Sequence, residues 1–300
     1  MEKIYSLNAD FLETLLSEPP LGAKIYNSPP DESKVYFIAD SIYKSNIKEI
    51  IPQKSPKELI GIMDELMYLG DIYTKINSGL ETINNIIDGK MPEIPEETLS
   101  TLVSLKGIDS IDNLPSRDSF DPMAIEIIKY LDEQLKKEKQ PNTFYFPIVE
   151  QLIRETVYKW SEHQFIEAAR QLNEESIYKN IQSVLSNHIF GDKTVFDEDF
   201  NKHTHYVAKN TYKNIIEESM PEKTQEDIIK VTKELIKLRT QPNYSKEGIS
   251  NFTKQIDEEI IKLSNIEDND LFLYGNVVNQ LITRMVYDWG KNQFIESAKK

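Results

Sequence analysis

A segment that occurs twice in the chain constrains its fold more than any other feature. Residues 151–169 read QLIRETVYKWSEHQFIEAA and residues 280–298 read QLITRMVYDWGKNQFIESA, so the two segments match without a gap at an offset of 129. The chain has two tryptophans, and both of them, Trp160 and Trp289, occupy the same place in this segment. The match predicts that the chain contains two related structural units.

Other matches extend the repeat toward the N-terminus. Two further pairs of segments share letters in the same order: 82–93 with 211–222, and 41–44 with 176–179. Together these matches predict a domain duplication, with one helical unit at 41–173 and a second at 174–300. The spacing is too long for the two-helix solenoid repeats, which have periods of about 34 to 47 residues.

Residues 1–40 lie outside both predicted units. An amphipathic stretch around Leu12 and Leu16 is followed by EPPLGAKIYNSPPDESK, in which four prolines oppose a helix and favour an extended backbone. We expect a Pro-rich N-terminal strap that packs on the first unit. The alternative is an arm that reaches another chain.

Apolar residues recur at helical spacing along most of the sequence, which predicts an all-α fold. In 148–172 they follow three- and four-residue steps, and no period-two run with hairpin turns is present. Helices are predicted to begin after Ser55, near Pro95 and after Asp121, and in the second unit over 224–238 and 251–263. Two glycines are candidate breaks in the first of these helices: Gly70 and Gly79.

Composition excludes several classes of site and of partner. The chain has 300 residues and no cysteine, so a disulfide framework, a thiolate zinc site and a cysteine nucleophile are excluded. Its net charge of −15 disfavours direct binding to nucleic acid, which requires a basic surface. No apolar run approaches the roughly 20 residues of a membrane helix, and no signal peptide is evident. We therefore expect a cytoplasmic protein, or a virion-associated one if a phage encodes it, with no membrane contact.

The repeated pattern V-Y-x-W-x-x-x-Q-F-I-E is the sharpest candidate for a functional element. Its chemistry-bearing members in the two copies are Tyr158, Trp160, Gln164, Phe165 and Glu167, and Tyr287, Trp289, Gln293, Phe294 and Glu296. The favoured interpretation is that the tryptophans anchor a core and the glutamines satisfy a buried group, because an element kept in both copies usually reflects shared architecture. The alternative is a pocket or a partner groove lined by each aromatic and amide pair.

Catalytic and metal-binding patterns are weak. The stretch DKTVFDEDFNKHTHY collects Asp197, Asp199, His203 and His205, which are possible ligands for a divalent metal, although a solvated acidic loop that leads into a helix is the favoured interpretation. No GxxxxGK[ST], GxGxxG or GxSxG pattern occurs. No catalytic residue can be assigned, and we expect no cofactor.

These features favour a non-enzymatic helical interaction or assembly protein, such as a structural or accessory protein of a phage or mobile element. Such a protein binds a specific protein partner or associates with itself, and its abundant aromatic residues can serve as interface anchors. One alternative is an acidic inhibitor that mimics nucleic acid and blocks a DNA-binding enzyme. Another is an all-α enzyme with a site between the two units.

Overall fold

A computed structural model describes residues 7–17, 30–87, 120–140, 144–187, 198–240, 246–264 and 271–300, with some helical positions described by backbone only. Within these ranges the chain is all-helical and contains no strand, which confirms the predicted fold class. The α-helices are α1 (Ala9–Leu15), α2 (Pro30–Ile42), α3 (Pro56–Ile87), α4 (Pro122–Lys137), α5 (Tyr145–Arg170), α6 (Glu175–Asn187), α7 (Glu198–Thr211), α8 (Gln225–Thr240), α9 (Asn251–Ser264) and α10 (Leu271–Ala298). None of these helices is long and apolar enough to cross a membrane. The helix predicted near Pro95 lies outside the described residues.

Local capping explains where several helices begin. Ser55 precedes α3, and its backbone N–H and hydroxyl both donate to the Glu58 carboxylate, which forms a capping box. Asp121 caps α4 by accepting a hydrogen bond of 2.9 Å from the backbone N–H of Met123. Thr224 and Asp227 repeat the capping box at the start of α8. These helices begin where the sequence predicts.

The expectation that Gly70 or Gly79 breaks the helix is wrong, because α3 continues through both positions. Gly70 lies against the ring of Tyr145, and a Cβ atom at Gly70 would be 1.9 Å from the Cε1 atom of that ring. The Tyr145 hydroxyl in turn donates to the carbonyl oxygen of Leu66, at 3.4 Å. Gly70 is therefore required by the close approach of an aromatic ring.

The N-terminal region is more helical than its sequence predicts. The amphipathic stretch forms α1, in which Leu12 and Leu15 are buried. The Pro-rich segment is expected to be extended, but α2 begins at Pro30 and includes residues 30–34 of that segment. A proline is tolerated at the first helical position because its missing N–H would have no partner there. Residues 18–29 lie outside the described part of the chain.

The chain divides into two compact units. The first comprises Met1–Leu15, Pro30–Glu155 and Ser297–Lys300, and the second comprises Leu16–Pro29 and Thr156–Glu296. This division is a property of the fold, whereas the boundary at 173/174 remains a sequence prediction.

In each unit a central helix packs against two other α-helices and a π-helix. In the first, α4 packs against α2, α3 and a π-helix at Tyr43–Ile47. In the second, α9 packs against α7, α8 and a π-helix at Tyr212–Ile216. A 3-10 helix follows each π-helix, at Ile51–Gln53 and at Glu217–Glu222.

Candidate functional site

Both copies of the repeated motif contribute to one aromatic cluster in the second unit. Trp160 on α5 and Trp289 on α10 stack with ring centroids 5.6 Å apart and an interplanar angle of 8°. Phe294 presents its ring edge to Trp160 at 5.4 Å, and Phe165 does the same to Trp289 at 5.0 Å. Each motif therefore supplies the edge-on partner for the tryptophan of the other motif, which is a favourable aromatic geometry.

Two tyrosines of the motif extend the cluster and bind carbonyl groups near helix ends. The rings of Tyr158 and Tyr287 lie 6.2 Å apart. The Tyr158 hydroxyl donates to the carbonyl oxygen of Leu185 in the last turn of α6, at 3.1 Å, and the Tyr287 hydroxyl donates to that of Leu16, just after α1, at 3.2 Å. The last carbonyls of a helix have no partner within the helix, so each tyrosine satisfies a group that would otherwise be buried without one.

Ser161 and Gly290 occupy the same position in the two motifs and lie against each other. A Cβ atom at Gly290 would be 1.5 Å from the hydroxyl oxygen of Ser161. That hydroxyl donates to the carbonyl oxygen of Val157 at 2.7 Å. The absence of a side chain at Gly290 allows α10 to approach α5 closely at this point.

The six aromatic side chains of the motif are buried, whereas its amides and carboxylates are not part of the cluster. Trp160 and Trp289 are 6% and 8% exposed, and the four other aromatic residues are almost fully buried. Gln164 is half-buried, and Glu167 forms an ion pair with Arg170 at 3.0 Å. The remaining two members, Gln293 and Glu296, are exposed. The aromatic half of the motif therefore has the geometry of a packed core.

A polar network next to this motif has no counterpart in the sequence patterns. The hydroxyl of Tyr212 donates to the carboxylate of Asp288, which also accepts from the Nε atom of Arg284 at 2.7 Å. The guanidinium lies over the Tyr212 ring, 5.2 Å from its centroid. Burial raises the pKa of Tyr212 well above its usual value, and the Asp288 charge adds to the shift. Tyr212 therefore stays neutral and acts as a hydrogen-bond donor.

Two buried carboxylates organise the start of α9 and its surroundings. Glu234 accepts hydrogen bonds from the backbone N–H and the hydroxyl of Ser250 and from the hydroxyl of Thr253. Asp257 accepts from the Tyr274 hydroxyl at 2.7 Å and from Lys246 at 2.6 Å. Burial raises the pKa of Tyr274 above its usual value. Because these carboxylates are saturated with donors, they serve the fold.

The structure gives the two histidines of the weak metal candidate separate partners. The Nε2 atom of His203 lies 3.3 Å from the carbonyl oxygen of Ser264. Burial lowers the pKa of His205, the nearby Lys209 lowers it further, and a hydrogen bond to Gln280 opposes the shift. Asp197 and the side chain of Asp199 lie outside the described residues. Among the side chains that the structure does describe, no group of three histidine, aspartate or glutamate residues could hold a metal ion.

One open groove lies in the second unit beside the π-helix. It has a volume of about 450 Å³ and is lined by Asn214, Ile215, Gln255, Glu258, Glu259 and Lys262. Glu259 accepts a hydrogen bond from Asn214 and pairs with Lys262, each at 2.9 Å. The polar groups of the groove thus satisfy one another.

Three aromatic side chains are more than half exposed on the described helices, and one of them, Phe272 on α10, stacks against Phe200 with ring centroids 5.3 Å apart. Phe37 on α2 is 57% exposed and Tyr206 on α7 is 55% exposed. Each lies on the helix that leads into a π-helix, six residues before the π-helix begins.

None of the family models, characterised proteins and solved structures compared with the chain matches it.

Proposed function

We propose that the protein is a non-enzymatic helical protein of interaction or assembly, built by duplication of one helical unit. The duplication is supported by a second alignment of the chain with itself, which pairs segments that have similar sequence and similar local structure. At an offset of 169, IYKSNIKEIIPQKSPKELI at 42–60 pairs without a gap with TYKNIIEESMPEKTQEDII at 211–229. This register pairs the two π-helices, the two 3-10 helices and the two capping boxes. It pairs segment 41–44 with 210–213 instead of 176–179, and segment 211–222 with 42–53 instead of 82–93.

Two partly buried hydrogen bonds, one in each copy, connect the offset of 169 with the offset of 129. The Glu65 carboxylate accepts from the backbone N–H of Asp121 at 2.6 Å, and the Glu234 carboxylate accepts from that of Ser250 at 3.3 Å. The two glutamates differ by 169 in number and their two partners by 129. The first copy therefore holds 40 additional residues between Glu65 and Asp121, of which 16 lengthen α3 and 24 lie between α3 and α4.

The contacts of the aromatic cluster are reciprocal, as in a twofold dimer interface. Trp160 contacts Phe294 as Trp289 contacts Phe165. The tyrosine bonds to Leu185 and to Leu16 are related in the same way, because these two leucines are 169 apart. Reciprocal contacts of this kind define an isologous interface. We infer that the two copies of the repeated motif together form the aromatic core of the second unit.

The exposed aromatic residues carry the functional proposal. Phe37 and Tyr206 are 169 apart, so both copies present a ring to solvent at the same position. Packing inside the protein does not require an exposed ring, whereas aromatic residues are common anchors of protein interfaces. The retention of this ring in both copies supports two related binding faces.

The distribution of acidic residues favours this proposal over an acidic inhibitor. On the described helices several carboxylates pair with a lysine four residues away, as in Lys44–Asp40, Lys136–Asp132 and Lys179–Glu175. Such alternation is typical of a solvated helix face, whereas a nucleic-acid mimic needs rows of unpaired carboxylates.

Site-specific photocrosslinking in the native host tests the proposal. A photoreactive residue at position 37 or 206 is expected to capture one and the same protein, while the exposed position 136 serves as a matched control. The purified pair should then form a complex that Phe37→Ala/Tyr206→Ala weakens by at least about tenfold. Capture of no protein at 37 and 206 beyond that at 136 would contradict the proposal.

A further inference from the structure

A row of basic residues surrounds the exposed tyrosine of α7. Lys202, Tyr206 and Lys209 on α7 and Lys213 in the following π-helix are spaced by four, three and four residues, and all are exposed. This spacing puts them on one side of the helix, and the row extends over about 16 Å at 1.5 Å per residue. We call these four residues the α7 face.

The α7 face carries three lysines in a chain whose net charge is −15. Several lysines on other described helices pair with a carboxylate, such as Lys136 with Asp132 at 2.5 Å. Among the described residues, no carboxylate lies within ion-pair distance of Lys209 or Lys213. Two lysines four residues apart repel each other, which destabilises the free helix slightly. A ligand that brings carboxylates to this face would relieve the repulsion.

The equivalent face of α2 lacks this charge pattern and provides an internal comparison. Phe37 takes the place of Tyr206, and Lys44 takes the place of Lys213. Asp40 takes the place of Lys209 and pairs with Lys44 at 2.7 Å. Both faces therefore have an exposed ring, but only on the α7 face do two lysines near the ring, Lys209 and Lys213, lack an ion pair with a described carboxylate.

Extending the proposed interaction function, we propose that the α7 face binds an acidic helical segment of a partner protein. Such a segment of about three turns matches the length of the face, with an apolar side chain on Tyr206 and carboxylates on Lys209 and Lys213. A nucleic acid fits less well, because the chain as a whole has a net charge of −15, which repels a phosphate backbone. The ring supplies an apolar anchor, and the lysines supply charge complementarity.

Fluorescence anisotropy with a synthetic peptide tests this assignment on the full chain. The probe is an amphipathic peptide of about 16 residues with glutamate and leucine at helical spacing, and the control peptide has glutamine in place of every glutamate. The wild-type chain is expected to bind the glutamate peptide, to bind the glutamine peptide at least about tenfold more weakly, and to lose affinity as salt is raised.

Variants on the two faces give the matched comparison. Lys209→Gln/Lys213→Gln and Tyr206→Ala should each weaken peptide binding by about tenfold or more. Phe37→Ala and Lys44→Gln should leave it within about twofold. Circular dichroism verifies that each variant is folded, which is expected because the substituted side chains are exposed.

Three results would overturn the assignment. They are no binding of the glutamate peptide up to about 1 mM, equal losses from the α2 and α7 variants, and tighter binding of a DNA duplex of similar length than of the peptide. A negative peptide result together with capture of one protein at positions 37 and 206 would reject this ligand class and retain the interaction function. Peptide binding without any captured protein would retain this ligand class and reject the proposed interaction function.

Discussion

Three glycines in helices show how close approach decides the choice of a single residue. At Gly70 an added Cβ would overlap the ring of Tyr145, and at Gly290 it would overlap Ser161. At Gly61, on α3, nothing lies within 4 Å of such an atom. In a helix glycine costs about 0.5 to 1 kcal/mol relative to alanine. Gly70 and Gly290 are therefore kept by packing, whereas Gly61 is not.

Gly290→Ala is expected to lower the free energy of unfolding by about 1 to 3 kcal/mol, because α10 or Ser161 must move to make room for the methyl group. Gly61→Ala is the control and should raise the free energy of unfolding by about 0.5 to 1 kcal/mol. Urea denaturation monitored by circular dichroism measures both. Ser161→Gly should recover part of the loss when it is combined with Gly290→Ala. A neutral Gly290→Ala variant would show that the two helices do not approach closely at this point.

Contacts between distant residues are what the sequence does not predict at this scale. The repeat shows that Trp160 and Trp289 are equivalent, but equivalence does not imply that their rings stack on each other. The bond from Tyr212 to Asp288 joins residues 76 positions apart and leaves no local pattern. The prediction for Gly70 is wrong because the sequence alone does not distinguish a glycine that ends a helix from a glycine that makes room for an aromatic ring.

Helix ends are the elements for which the sequence is most informative. Capping depends on three or four consecutive residues, so Ser55, Asp121 and Thr224 are recognisable as start signals from their neighbours in the chain. The helical start at Pro30 is not predicted, because a run of prolines favours an extended backbone even though a helix tolerates proline at its first position. The two π-helices are not predicted either. No local sequence pattern marks either π-helix, so they can be recognised only by comparing the two segments with each other.

The capping box of α8 predicts a specific acid sensitivity. The hydroxyl and the backbone N–H of Thr224 lower the pKa of Asp227 below its ordinary value of 3.8. A carboxylate with a lowered pKa in the folded state stabilises the protein fully above its unfolded pKa, and this stabilisation is lost as the pH falls through the folded pKa. The contribution of Asp227 is therefore present at neutral pH and declines as the pH falls below about 3.8 toward the folded pKa.

Asp227→Asn is expected to destabilise the protein at pH 6 and to have a smaller effect at pH 3, because the stabilisation by the carboxylate declines once the pH falls below its unfolded pKa of about 3.8. Thr224→Ala should cost about 1 kcal/mol at pH 6 through loss of the cap. Urea titrations at the two pH values give the differences, and Glu226→Gln, a neighbouring exposed carboxylate, is the control. An effect of Asp227→Asn that is the same at both pH values would show that its charge does not contribute to the cap.

At the scale of the whole molecule, the repeat explains why one aromatic cluster contains both motifs. If two copies of a motif pack about a local twofold axis, residues on the axis contact their own equivalents, and residues off the axis form two equivalent contacts. Trp160 with Trp289 and Tyr158 with Tyr287 are contacts of the first kind. The tyrosine bonds to carbonyl groups are of the second kind. The sequence predicts the duplication at an offset of 129, and the inferred twofold relation follows once the offset of 169 is added.

Equivalent contacts should have equal energies, and this gives a test of the proposed duplication. Tyr158→Phe and Tyr287→Phe each remove a hydroxyl that donates to a carbonyl oxygen near the end of a helix, at 3.1 and 3.2 Å. Each variant is expected to lower the free energy of unfolding by about 1 to 2 kcal/mol, because a buried acceptor loses its donor. Tyr206→Phe, at an exposed ring, is the control and should change stability by less than about 0.5 kcal/mol.

Similar losses for the two buried tyrosines support equivalent positions, since α1 and α6 then make the same contact with different copies of one motif. A large loss at one tyrosine and none at the other would mean that the two bonds are unrelated, and that the match between Leu16 and Leu185 is a coincidence of numbering.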